Sequence, residues 1–261
     1  MMTETETVTR IVQDIRGGAP FSARETDPPR DLKDAYKTQD SVAEILTQDG
    51  AFGPVAGWKI AANSTALLDR FGLGEPASGR VFTAQRHDSP AMLRAADYRQ
   101  FALEPEIAAV MGTTLAPQDA PFGTQTVLAA IDRFIPAIEL LDMRETDMGR
   151  IHLPDVIAQN ISNVGAVLGG PGTAPETLKP DTVRTTLAID GEIRHDVTGA
   201  APQDPLKAVT WLANHLGERG LTLQAGQVVL CGTHSPIWYH DGTGEIVLEM
   251  SGLGSATLRL D

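Results

Sequence analysis

The stretch Phe101-Ala-Leu-Glu104-Pro-Glu106-Ile-Ala-Ala-Val110-Met111 places two acids, two residues apart, inside an otherwise apolar run. In a strand, side chains alternate between faces, so Glu104 and Glu106 point one way while Leu103, Ile107 and Ala109 point the other. Two half-buried like charges on one face are unfavourable, because desolvated carboxylates have to be paired, protonated or metal-bound. A hard divalent ion is the simplest partner. The spacing alone also fits a solvent-facing strand, where such pairs are ordinary. Pro105 cannot donate to a sheet ladder and predicts an edge or a bulge at this point.

A second acid-interrupted run, Pro136-Ala-Ile-Glu139-Leu-Leu-Asp142, reads as another strand. Mg²⁺ and Mn²⁺ prefer oxygen ligands, commonly two or three carboxylates with the remaining positions open. Glu104, Glu106 and Glu139 offer three such groups; the alternative for Glu139 is an arginine partner.

Outward from these runs, Val8, Ile11, Val12 and Ile15 recur at helical spacing before Gly17-Gly18. A second helix is predicted over 31–48, after a proline-containing loop over 19–30. Strands begin at Val55-Ala-Gly-Trp-Lys-Ile-Ala61. Ser64 caps a short helix through Phe71, and a strand follows over 80–83. Residues 87–96 carry no clear pattern. A helix is predicted over 123–133, a helical turn over 154–159 and a strand over 160–168. Asp190-Gly191 predicts a two-residue hairpin turn between strands 182–189 and 192–197. Pro205 to Arg219 carries one apolar stripe and is a helix. Strands over 228–231, 245–248 and 256–260 close the chain. Strands outnumber helices and mostly follow one another, so the expected class is α+β with a β-rich core and an N-terminal helical appendage.

A formal net charge of −13 argues against nucleic-acid or anionic-membrane partners, which need clustered Lys and Arg. The single cysteine, Cys231, excludes an internal disulfide. Together with an acidic, polar start at Thr3-Glu-Thr-Glu-Thr7, it makes the cytoplasm the expected compartment. No run approaches the roughly 20 apolar residues of a membrane-spanning helix.

Six segments, in order, carry a resemblance. They are Gly57-Trp-Lys59-Ile, Leu103-Glu104-Pro-Glu106-Ile-Ala, Pro136-Ala-Ile-Glu139-Leu-Leu-Asp142-Met-Arg144, Asp155-Val-Ile-Ala-Gln-Asn160-Ile-Ser162, Asp204-Pro-Leu-Lys-Ala-Val-Thr-Trp211 and Leu223-Gln-Ala-Gly226-Gln-Val-Val-Leu230. The chain resembles the 2-oxopent-4-enoate hydratase and 4-oxalocrotonate decarboxylase group of the fumarylacetoacetate hydrolase superfamily. The resemblance implies a mixed-sheet roll as a catalytic domain over 55–261, with a helical segment over 1–54. It also implies a Mg²⁺ or Mn²⁺ site of Glu104, Glu106 and Glu139 that binds a short 2-oxo or 2-hydroxydienoic acid, and a homo-oligomer.

By the same resemblance, Lys59 is the charge-stabilising or proton-transfer group, Gln159, Asn160 and Ser162 contact the substrate carboxylate, and Asp155 supports them. His234 lies in a loop close to the substrate. The alternatives are an edge-strand lysine for Lys59, loop capping for Asp155, Asn160 and Ser162, and an ordinary loop histidine for His234. The chain departs from the group's pattern at Ala77, Gln159 and Gln203-Asp204, where Asp, Asp and Gly-His are usual. Hydration is the expected reaction, with decarboxylation, acylpyruvate hydrolysis or tautomerisation, and non-catalytic 2-oxo-acid binding as alternatives.

Overall fold

The computed structural model describes residues 3–22, 29–48 and 50–261. Helix α1 (Glu4–Gly17) starts on a Thr3–Glu6 capping box and ends on left-handed Gly18. Helix α2 (Leu32–Gln48) is capped by Asp31 Oδ1, which accepts from Asp34 N at 2.9 Å. Part of the expected loop over 19–30 lies outside the described residues. The chain continues as β1 (Val55–Ala61), α3 (Thr65–Phe71), β2 (Ala77–Phe82), β3 (Arg86–Asp88), β4 (Ala91–Leu93) and β5 (Phe101–Met111). Next come α4 (Thr124–Ala130), β6 (Ile131–Asp142), α5 (Leu153–Ala158), β7 (Asn163–Leu168), β8 (Gly170–Pro171), β9 (Arg184–Ile189) and β10 (Glu192–Thr198). Helix α6 (Pro205–Glu218) precedes β11 (Val228–Thr233), β12 (Trp238–Tyr239), β13 (Gly244–Met250) and β14 (Gly254–Leu260).

The strands form two mixed sheets. The first runs β2-β1-β11-β5-β6-β7-β3, with β12 also on β5; the second runs β10-β9-β13-β14-β4, with β8 on β14. β1/β11, β3/β7 and β4/β14 pair parallel and the other pairs are antiparallel. The first sheet curls until β2 lies against β7 although four strands separate them in the order. Its inner face carries Val81, Ala108, Val110, Ile135, Ala137, Ala166, Leu168, Val228 and Leu230. Its outer face packs Leu103, Ile107, Phe134 and Ile138 against the second sheet and α6. Each such fully buried side chain contributes about 1.5–3 kcal/mol relative to exposure. The class is therefore α+β, a β-rich mixed-sheet roll with helices at the N-terminus.

Several expectations need correction. Of the edge or bulge expected at Pro105, the edge is wrong, since β5 is central, while the pair does carry an irregularity there: β11 shifts register between Leu230 and Thr233, opposite Ala108 and Glu106. The Pro105 carbonyl accepts from His234 N at 2.8 Å, so Pro105 turns its missing donor toward that irregular stretch. The helix expected over 123–133 ends at Ala130, because Ile131 pairs with Met111 in the sheet. Residues 160–162 are not strand but a turn, with Asn160, Ile161 and Ser162 at φ of 61°, 54° and 57°. β2 begins three residues earlier than expected. β3 and β4, three residues each, are too short for alternation to reveal.

The outer edge of β2 has no strand neighbour among the described residues, and side chains close it. Ser78 N donates to Tyr36 Oη at 2.9 Å and Ser78 O accepts from Gln39 Nε2 at 2.9 Å. Asn160 accepts from Arg80 N through Oδ1 at 2.6 Å and donates through Nδ2 to Arg80 O at 2.8 Å. Buried backbone groups require such partners, and an open edge is a site of association. Helix α2 and the turn at 160–162 thereby complete the roll.

Candidate active site

The register of β5 with β6 places Glu104 directly opposite Glu139 and Glu106 opposite Ala137. Alternation then sets all three carboxylates on the inner face of the roll. One oxygen from each lies within 4.8 Å of the others. Glu139 is fully buried, Glu106 is 1 % exposed and Glu104 is 9 % exposed, so the pocket opens on the Glu104 side. Two carboxylates at such a distance repel by about 3 kcal/mol at an effective dielectric of about 20.

Few donors offset this. Gly232 N donates to Glu106 Oε2 at 2.6 Å, and Asn163 Nδ2 donates to Glu139 Oε1 at 2.8 Å. Lys59 Nζ lies 3.2 Å from Glu139 Oε1. The buried Glu139 Oε2 has no hydrogen-bond partner among the described residues. Burial, then Glu139, raises the Glu104 carboxyl to about 8 against the pull of Lys59. Burial, then Glu139 and Glu104, pushes Glu106 well above the ordinary carboxylate range. Burial alone lowers the Lys59 ammonium, but Glu139, Glu104 and Glu106 together hold it above the usual lysine value. Three enclosed carboxylates, one orphaned oxygen and a single ammonium form an all-oxygen donor set that fits a hard dication.

Lys59 reaches this pocket because β1 turns Trp58 and Ile60 into the main core and Lys59 inward. Gly79, its partner on β2, leaves the room: a Cβ there would stand 3.1 Å from Lys59 Cγ and 3.2 Å from Asn160 Oδ1. Asn160 is thus adjacent to Lys59, with its side-chain amide engaged by the Arg80 backbone. Ser162 makes no hydrogen bond among the described residues through its hydroxyl and lines a cavity of about 40 Å³ beside Asn163. Gln159 accepts from Arg144 Nη2 at 2.8 Å and donates to Ser22 O at 3.0 Å, tying the end of α5 to the N-terminal segment.

The cavity lined by Gln159 and Ser162 is lined by none of the three carboxylates, and two further residues stand apart from them. Asp155, buried in the first turn of α5, pairs with His152 Nδ1 at 3.1 Å. Because Thr233 pairs with Glu106 and shares its face, the next residue, His234, turns to the opposite face. Its Nδ1 lies 2.8 Å from Thr185 Oγ1 of the second sheet, and His195 Nε2 donates to its carbonyl at 3.1 Å. Burial, then His195, lowers the His234 imidazole to about 4.

Asn163 and the Gly232 amide escaped sequence reading. The first follows Asn160 and Ser162 in the same segment; the second is backbone, which no side-chain pattern reports. At the departures, Ala77 is fully buried in an apolar cluster with Tyr36 and Ile161. Asp204 Oδ1 caps α6 by accepting from Lys207 N at 3.0 Å.

Residues 77–261 match the model of the fumarylacetoacetate (FAA) hydrolase C-terminal family. The chain is 30% identical over 233 residues to a 2-keto-4-pentenoate hydratase of Burkholderia vietnamiensis (strain G4 / LMG 22486), covering 89% of this chain and 87% of the other. It is 26% identical over 260 residues to a 2-hydroxyhexa-2,4-dienoate hydratase of Comamonas testosteroni, covering 98% and 96%. A 4-oxalocrotonate decarboxylase from Pseudomonas putida G7, solved with magnesium and adipate, shares the fold at a TM-score of 0.87, with 24% identity over 100% of this chain and 99% of the other. With its matched residues spanning both sheets and all three carboxylates, the chain belongs to the fumarylacetoacetate hydrolase C-terminal family.

Proposed function

We propose that the protein is a divalent-metal-dependent lyase, a hydratase of a short 2-hydroxydienoic or 2-oxo acid such as 2-oxopent-4-enoate. Glu104, Glu106 and Glu139 hold Mg²⁺ or Mn²⁺ in this reading. The observation that carries it is the enclosed triad, with Glu139 Oε1 facing Lys59 and Glu139 Oε2 without a partner among the described residues. The hydratase names of relatives at 26–30% identity support the reaction, and the magnesium beside the Pseudomonas putida decarboxylase supports the ion class. A dication held by Glu104, Glu106 and Glu139 would supply the positive charge that favours electron density on a 2-oxo acid's oxygens.

Lys59 holds its protons at Nζ inside the same pocket and is assigned to stabilise negative charge on the substrate and to pass a proton to its chain. Asn160 positions β2, and through it the Gly79 gap that lets Lys59 extend. Ser162, with its uncommitted hydroxyl, is assigned to the acid's carboxylate. Gln159 anchors that segment through Arg144 and Ser22. The proposed setting is the cytoplasm and the proposed state a homo-oligomer; no described helix is long and apolar enough to cross a membrane.

The test follows the ultraviolet absorbance of 2-hydroxypenta-2,4-dienoate with and without Mg²⁺ or Mn²⁺. Metal-dependent loss of the conjugated chromophore is expected. Release of CO₂ from 4-oxalocrotonate without turnover of the dienoate overturns hydration in favour of decarboxylation. Metal-dependent binding of both acids with turnover of neither overturns catalysis.

A further inference from the structure

The inner face of the roll is closed at one end and open at the other. Beyond Glu106, β5 continues on that face to Ala108 and Val110, and β6 carries Ala137 and Ile135; these residues are buried in one apolar cluster that fills the roll. In the other direction Glu104 is followed by Ala102 and Glu139 by Leu141, which are cross-strand partners. Ala102 and Leu141 pack with Met143, and Met148 and Ile237 lie partly buried against them. Tyr239 pairs with Ala102 on β12 and therefore stands on the same face, diagonal to Glu104. It is 44 % exposed, and burial, then Glu104, raises its phenol.

The more exposed end of the carboxylate cluster, at Glu104, leads outward over this apolar wall. Two residues along a strand span about 7 Å, close to the reach of a three- or four-carbon tail beyond C2. Arg70 reaches the wall, but its Nη2 donates to Met148 O at 2.7 Å and its guanidinium stands 5.2 Å from the Phe71 ring centroid. Uncharged side chains that accept a chain end discriminate by methylene count and reject a carboxylate that would lose its hydration without gaining a partner.

We infer that Tyr239, with Ala102, Leu141, Met143, Met148 and Ile237, forms the specificity wall of the site and selects 2-oxo acids with an uncharged, apolar chain end over those with a second carboxylate. This rests on the metal-dependent 2-oxo-acid reading above, and the test separates the two. Calorimetry on the Mn²⁺-loaded protein compares pyruvate, 2-oxobutanoate, 2-oxopentanoate, 2-oxohexanoate and 2-oxoadipate. Affinity is expected to rise about fourfold per added methylene. 2-Oxoadipate is expected to bind at least tenfold more weakly than 2-oxohexanoate, which matches it in carbon number. Tyr239→Ala should flatten the chain-length series without changing pyruvate affinity, whereas Tyr239→Phe should preserve it. Equal or tighter binding of 2-oxoadipate, or an unchanged series in Tyr239→Ala, overturns the wall. Failure of pyruvate to bind in a Mn²⁺-dependent manner overturns the underlying reading instead.

Discussion

Lys59 and the three glutamates form one electrostatic unit in which each member's charge depends on the others. Replacing Lys59 by Met removes the single positive group but none of the oxygen donors. We expect Lys59→Met to abolish turnover of the dienoate while Mn²⁺ affinity stays within about threefold of wild type. Glu106→Gln changes a carboxylate that accepts from Gly232 into an amide without charge, and should weaken Mn²⁺ binding by about 100-fold or more. Titration of Mn²⁺ by paramagnetic resonance reads both. Weak metal binding in Lys59→Met would assign the lysine to the integrity of the pocket, and retained binding in Glu106→Gln would remove that carboxylate from the metal site. At this scale the sequence was informative where chemistry and alternation coincide, as in Glu104-Pro-Glu106. It was silent on Gly232, whose contribution is a main-chain N–H, and on His234, whose facing depends on the displaced register of β11.

Among the elements, α6 carries a group that ties its packing to pH. His215 stacks on Trp211, lies 4.8 Å from the Tyr36 ring centroid and accepts from Arg219 Nη1 at 3.1 Å. Burial, then Arg219, lowers its imidazole to about 4, with Arg80 of β2 adding to the effect and Asp40 of α2 opposing it. The fold therefore requires neutral His215. Its contribution is full above the ordinary histidine value near 6.5 and is lost as pH falls from there toward 4, where the unfolded chain binds a proton that the folded one refuses. The loss amounts to about 3 kcal/mol at pH 4. Urea midpoints at pH 7 and pH 4.5 should fall further apart in wild type than in His215→Gln, and parallel shifts would exclude this histidine as the source. Elements with local signals were legible: Ser64 and Gly72 bracket α3, and Asp190-Gly191, at φ of 50° and 79°, makes the hairpin turn. The left-handed run at 160–162 was not, because it exists to bring Asn160 onto the edge of β2.

At the scale of the whole molecule, the N-terminal helices are structurally continuous with the roll. Gln39 donates to Ser78 O and Ile157 O and accepts from Arg80 Nη1 at 2.6 Å, while Asp40 pairs with both Arg80 and Arg219. Val8, Ile11, Val12, Val42 and Leu46 bury Phe82 and Ala158. Gln39→Ala should lower stability by about 1–3 kcal/mol, because it removes the side-chain donor to two buried carbonyls. A chain trimmed to 55–261 should self-associate through the opened edge of β2. Chemical denaturation and size-exclusion chromatography measure these outcomes; an unchanged midpoint together with a monodisperse trimmed chain would make residues 1–54 a dispensable appendage.

The sequence by itself determined that Glu104 and Glu106 share a face, that strands dominate and where the sharpest turns fall, because alternation, capping and turn chemistry act over a few residues. Only the tertiary structure decided that this face is enclosed, that Glu139 sits opposite Glu104, and that Asn160 braces β2 while His234 turns away. These depend on strand registers and sheet curvature that join distant segments, such as Gly232 to Glu106 across 126 positions, and no local pattern encodes them.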